Sequence, residues 1–123
     1  INDREPTINL TSGKQKRDFI YVDDVIDSVC FILFKFENFE IFNEFEIGTG
    51  KSTSIRKMLK MLVNEFEKRF GVTNTSLNFG KVPGRKNEPM EIQACTQKIN
   101  DLGWKPQIEL ADGLGKVFDY EEK

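Results

Sequence analysis

The stretch from Phe45 to Gly71 leaves few folds open to this chain. Phe45 and Ile47 alternate with Asn43, Glu44 and Glu46, the period of a half-buried strand, and Gly48-Thr49-Gly50 then turns the chain. Ile55, Met58, Leu59, Leu62, Val63, Phe66 and Phe70 follow on one helical stripe, with Ser52, Thr53 or Ser54 able to cap its start and Gly71 its end. A strand, a tight glycine turn and an amphipathic helix in succession call for a layered α/β architecture. The rest of the chain agrees. Ile8 and Leu10 alternate in a short strand over Thr7 to Leu10, and the cluster from Thr11 to Lys14 reads as a turn. Asp23 and Asp24 suit a helix N-terminus, and Val25, Ile26, Val29, Ile32, Leu33 and Phe36 predict one buried face of a helix that Asn38 can end. Leu77 and Phe79 predict another strand, followed by a polar loop from Val82 to Pro89. A short helix holding Ile99 and Leu102 stops at Gly103, Trp104-Lys105-Pro106 bends the chain, and Leu110, Leu114, Val117 and Phe118 mark a last amphipathic helix.

Composition removes several function classes. At 123 residues the chain is one domain or part of one, and 31% charged with 38% hydrophobic residues is a globular balance. A formal charge of −2 without a basic run favours neither nucleic acid nor an anionic membrane as partner. The longest apolar run, Val29 to Phe34, is six residues against the roughly 20 that span a bilayer, so the chain reads as soluble. There is no histidine, which excludes the Ser-His-Asp triad, the Cys-His pair and imidazole acid/base chemistry. Cys30 and Cys95 lie far apart and form no C-x-x-C pair, so both are expected reduced and packed, with no metal site. The chain starts at Ile1 with no signal peptide, as a processed or fragmentary chain would. Phe31, Phe34, Phe36, Phe39, Phe42 and Phe45 fall within fifteen residues, more apolar surface than one thin domain covers, which predicts missing partner surface.

Three groups of residues carry candidate chemistry. Gly48-Thr49-Gly50-Lys51-Ser52-Thr53 looks like the end of a phosphate-binding P-loop, but the position that needs the first glycine holds Phe45, so the loop is too short to wrap a polyphosphate. An ordinary strand-to-helix turn is the reading that remains. Arg17 and Arg85, in separate loops, can clamp a diphosphate by planar, bidentate donation, and are equally consistent with solvated surface side chains. Asp18, Asp23, Asp24, Asp27 and Glu88 offer carboxylates for an acid/base pair or for helix caps.

Read together, Lys16 to Val25, Phe45 to Gly50 and Leu102 to Pro106 resemble, in order and spacing, the C-terminal half of the NAD(P)-dependent epimerase/dehydratase family. These extended short-chain dehydrogenases remodel nucleotide-activated sugars. Gly13 to Val25 is similar to the family segment G-x-Q-x-R-D-[FWY]-[IV]-[YH]-V-x-D-[VL], with Gln15 and Arg17 in place. The resemblance covers nearly the whole chain. It implies that Arg17 and Arg85 contact the diphosphate of a nucleotide-diphosphate sugar and that Glu88 contacts its ribose. It also implies a mixed α+β substrate-binding subdomain over residues 1–123, with the Rossmann half absent. Where the family usually carries Asp the chain has Cys95, which shifts the capping of the following helix to Thr96.

The family's Gly-rich dinucleotide turn and its Tyr-x-x-x-Lys pair are missing: Val25 stands four residues after Tyr21, and Tyr120 lies near the end. The resemblance therefore implies NAD or NADP in the complete enzyme, none bound by this chain alone, and no catalytic residue here. The expected compartment is the family's, the cytoplasm. The helix from Asp24 to Phe36 is expected to pack on the Rossmann half, and its second apolar face predicts self-association of the segment as a possible homo-oligomer. The alternative from a different class is a non-catalytic protein-interaction module on the same scaffold.

Overall fold

The computed structural model describes residues 6–35 and 42–121. Among them, four helices and four short strands form a mixed α/β fold. Strand β1 (Thr7–Asn9) pairs in parallel with β4 (Ser76–Asn78), Ile8 opposite Leu77. Strand β2 (Lys16–Arg17) pairs antiparallel with β3 (Thr53–Ser54), Arg17 opposite Thr53. On the other side of β2, Lys16 bridges to Glu91: the Lys16 amide donates to the Met90 carbonyl at 2.7 Å and the Ile92 amide to the Lys16 carbonyl at 3.0 Å. The short β2 is thus held from both flanks.

Helix α2 (Ile55–Phe70) follows the sequence pattern closely. Ser54 is the residue that caps it, its hydroxyl accepting from the Lys57 amide at 3.1 Å, and Gly71 ends it with φ at 94°. Its stripe meets α4 (Leu110–Glu121), where Phe66, Phe70 and Phe118 stack with centroids 4.9 to 6.0 Å apart. That spacing suits offset and edge-on aromatic pairs. The seam is shallow, since no residue of α2 is fully buried.

Helix α1 (Val22–Phe34) departs from its expected orientation. The face turned inward carries Asp24 and Ser28, 3% and 0% exposed, while Val22, Ile26, Val29 and Leu33 stand half to two-thirds exposed. The cause lies in what the inward face meets. Residues 104–108 present unpaired donors, and α1 supplies the acceptors: Asp27 takes the Trp104 indole N–H at 2.9 Å, and Asp24 takes the amides of Gln107 and Ile108 at 3.0 to 3.2 Å. Buried donors must be satisfied, so polar residues win the inner face. Asp24 therefore braces a loop instead of capping its own helix, whose N-cap Tyr21 makes no side-chain bond. The expected contributions of Phe36, Asn38 and Phe39 lie outside the described residues.

Three further expectations change. Residues 43–47 keep their alternation of half-buried and exposed side chains but form no strand among the described residues; Lys98 packs on them, its ammonium donating to the Glu44 carbonyl at 3.0 Å and lying 4.7 Å from the Phe45 ring centroid. Cys30 and Cys95 are free as expected, but exposed instead of packed, Cys30 lying on the outward side of α1. Thr96 precedes α3 (Gln97–Asp101) without capping its backbone; its hydroxyl accepts from the Asn100 amide group at 3.0 Å. The apolar core among the described residues is correspondingly thin, Ile99 and Trp104 being the only apolar residues fully buried. None of the described helices is long and apolar enough to cross a membrane.

Candidate functional site

The site is built around the end of β2. Successive residues of an extended chain point to opposite sides, so Arg17 and Asp18 serve different neighbours. Arg17 extends to the polar loop after β4, where its Nη2 donates to Glu88 Oε1 at 3.1 Å, both side chains being about a quarter exposed. Its Nη1 donates to the Lys16 carbonyl at 2.7 Å. A guanidinium offers five N–H donors. Two are engaged here, and the other three have no protein acceptor among the described residues.

The loop that brings Glu88 to Arg17 turns on Asn87, the one described residue other than glycine with positive φ, at 63°. Asparagine tolerates that left-handed conformation better than most side chains. The Glu88 amide lies 3.4 Å from the Arg85 carbonyl, so Arg85 sits on the same turn. Its side chain is exposed and makes no ion pair among the described residues. The structure thus joins the side chains of two of the three residues singled out in the sequence, Arg17 and Glu88, and leaves Arg85 on the same turn, touching Glu88 through its backbone carbonyl alone.

Asp18 faces the other way and acts as an acceptor hub. Its Oδ1 takes the Thr49 amide at 2.9 Å and the Thr49 hydroxyl at 2.5 Å; its Oδ2 takes the amides of Gly50 at 2.9 Å and Ala94 at 3.2 Å. Gly48 is obligatory beside it, because a Cβ there would stand 2.5 Å from the Ala94 Cβ and 2.7 Å from Asp18 Oδ2. This explains the failed P-loop in chemical terms. The Thr49 and Gly50 amides that could have cradled a phosphate already hold an internal carboxylate. The same turn therefore does not fit a dinucleotide pyrophosphate. Sequence reasoning placed Asp18 among acid/base candidates; the signal for its actual role was a Gly-Thr-Gly turn whose amides needed an anion.

Arg17 and Asp18 line a cleft of about 330 Å³ with Glu46, Ile47, Ile92, Gln93 and Ala94. Arg85 and Glu88 stand outside it. Of the other candidate carboxylates, Asp24 and Asp27 are committed to the loop at 104–108, which removes them from any acid/base pair, and Asp23 is exposed in the first turn of α1. Among the described residues no group of three His, Cys, Asp or Glu side chains is placed to hold a metal ion.

Architecture and motifs define a class, a partial domain of an extended short-chain dehydrogenase. The chain belongs to the GDP-mannose 4,6 dehydratase family, whose model matches residues 1–117. It is 32% identical over 94% of its length to a CDP-abequose synthase of Salmonella muenchen, and 34% identical over 98% to a putative UDP-glucose 4-epimerase of Methanocaldococcus jannaschii. Among solved structures it superposes on a GDP-mannoheptose C4 reductase from Campylobacter jejuni, solved with NADP bound, with a TM-score of 0.74 and 25% identity over 96% of the chain. It spans about a third of each: 37%, 35% and 35%. These relatives are nucleotide-sugar-modifying enzymes, and they give the non-catalytic interaction module no support.

Proposed function

We propose that this segment forms the nucleotide-diphosphate-sugar-binding portion of an NAD(P)-dependent epimerase, dehydratase or reductase. The observation that carries the reading is the Arg17–Glu88 pair at 3.1 Å, with three guanidinium N–H groups left over beside a cleft. Arg17 donates to the diphosphate oxygens in a planar, charge-assisted geometry. Arg85, exposed on the adjoining turn, brings a second cation, and the Glu88 carboxylate accepts from the ribose hydroxyls. Glu88 holds the guanidinium in place meanwhile, so less side-chain freedom is lost on binding.

The dinucleotide belongs to a Rossmann portion of the enzyme, since the Gly48-Thr49-Gly50 turn is filled by Asp18 and Gly113-Leu114-Gly115 lies within α4. NAD(P) supplies hydride transfer when bound there, and this segment supplies the sugar nucleotide's binding and orientation. The outward stripe of Val22, Ile26, Val29 and Leu33 on α1 is the surface that packs against that portion. Cytoplasmic biosynthesis is the setting that follows.

The test is calorimetric titration with UDP-, dTDP-, GDP- and CDP-glucose, alone and with the Rossmann portion supplied. Saturable heat with one nucleotide, weakened in Arg85→Ala, supports the reading and names the base. Silence with all four in the complete enzyme overturns it.

A further inference from the structure

We infer that Asp18 is a positioning residue for the sugar-nucleotide site, setting the geometry of the Arg17–Glu88 pair through the segment that joins Glu88 to Ala94. This rests on the binding role proposed for Arg17 and Glu88. The segment 88–94 runs beside β2 and is tied to it at three places. At one end Glu88 meets Arg17 at 3.1 Å; in the middle the amides of Lys16 and Ile92 exchange bonds with the carbonyls of Met90 and Lys16; at the far end the Ala94 amide meets Asp18 Oδ2 at 3.2 Å. Among the described residues, Asp18 is the side chain of β2 and its immediate extension that holds the far end. It simultaneously holds Thr49 and Gly50, so the turn after residues 43–47 and the segment 88–94 share one anchor.

The anchor must be a carboxylate. Four donors converge on two oxygens, two on each. Asparagine offers one acceptor oxygen and sets an NH2 group against amides that themselves donate, so one pair of bonds becomes a repulsion. Gly48 leaves no slack, since even a Cβ there would collide with Ala94 and Asp18. Loss of the anchor therefore displaces residues 92–94, which are walls of the cleft, and carries Glu88 away from the guanidinium.

The test compares Asp18→Asn with Asp24→Asn in the complete enzyme. Asp24 is a matched control: it too is a carboxylate accepting backbone amides, those of Gln107 and Ile108, but it touches nothing at Arg17. Both variants are expected to melt earlier than wild type. Titrated with the preferred sugar nucleotide well below either midpoint, Asp18→Asn alone is expected to raise Kd by about tenfold, the effect of one misplaced charged hydrogen bond. Equal affinity in the two variants overturns the inference, because a purely structural role would move the midpoints alone.

A second readout is independent of ligand: the Arg17 side-chain NMR signals, whose slow guanidinium rotation reports the Glu88 pair. They are expected to broaden in Asp18→Asn and stay sharp in Asp24→Asn. If wild type binds no sugar nucleotide, the diphosphate reading fails, and unchanged Arg17 signals would separately refute the positioning role. Should Asp18→Asn not fold, Thr49→Val deletes one of the four donors and is expected to shift both readouts in the same direction, while unchanged readouts overturn the inference.

Discussion

Helices α1 and α2 are similar in length and both carry an apolar stripe, yet they use it in opposite ways. Helix α2 points its stripe at α4, is capped by Ser54 and closed by Gly71, and behaves as an amphipathic helix of a small domain. Helix α1 has no side-chain cap, points Asp24 and Ser28 inward, and leaves Val22, Ile26, Val29 and Leu33 outside. Apolar periodicity reports that a helix has a face to bury; it does not say which neighbour buries it. For α2 the neighbour is within this segment. For α1 the inner neighbour is a loop rich in donors, and the apolar face stands exposed among the described residues.

The comparison makes graded predictions for unfolding free energy measured by urea titration. Trp104→Ala has the largest expected effect, roughly 3 to 5 kcal/mol, because it empties the most enclosed aromatic site among the described residues and removes the indole donor that ties the loop to Asp27 of α1. A loss below about 1 kcal/mol would mean that α1 is not held through this loop. Asp24→Ala follows at roughly 2 kcal/mol, since the Gln107 and Ile108 amides lose the buried carboxylate that accepts from them. Ser54→Ala removes the cap of α2 and is expected to cost about 1 kcal/mol. Ile26→Ser, on the outward stripe, is expected to change the segment's own stability by less than about 0.5 kcal/mol, as other exposed positions do. The same substitution should weaken docking to the Rossmann portion, measured by co-elution, and a large loss of intrinsic stability would instead place that face inside the segment.

This contrast also explains how far the sequence could be read. The α2 stripe, its cap and its closing glycine are local features, decided within one turn of helix, and they stand in the structure where the pattern puts them. The short strands at residues 7–9 and 76–78, and the stop at Gly103, are equally local. What went astray was decided at a distance. Residues 43–47 keep strand alternation but form no strand among the described residues, and Asp24, which the sequence suits to a cap, is claimed by the loop at 104–108. At the site, Arg17, Arg85 and Glu88 were picked out by resemblance to a family motif, and chain folding brings the first and last together across 71 residues of sequence. The hub at Asp18 depends on amides from two segments far from it in sequence, the turn at Thr49 and Gly50 and the chain at Ala94, which no spacing rule encodes.

Arg17 carries the central claim, and its affinity for the sugar nucleotide tests that claim directly. In the complete enzyme, Arg17→Ala titrated against the preferred sugar nucleotide is expected to lose about 1 to 3 kcal/mol of binding free energy, the range of a charged hydrogen bond, with the melting temperature little changed. Binding as tight as wild type would contradict the assignment of the diphosphate to Arg17 and, with it, the reading of this segment as the substrate-binding portion.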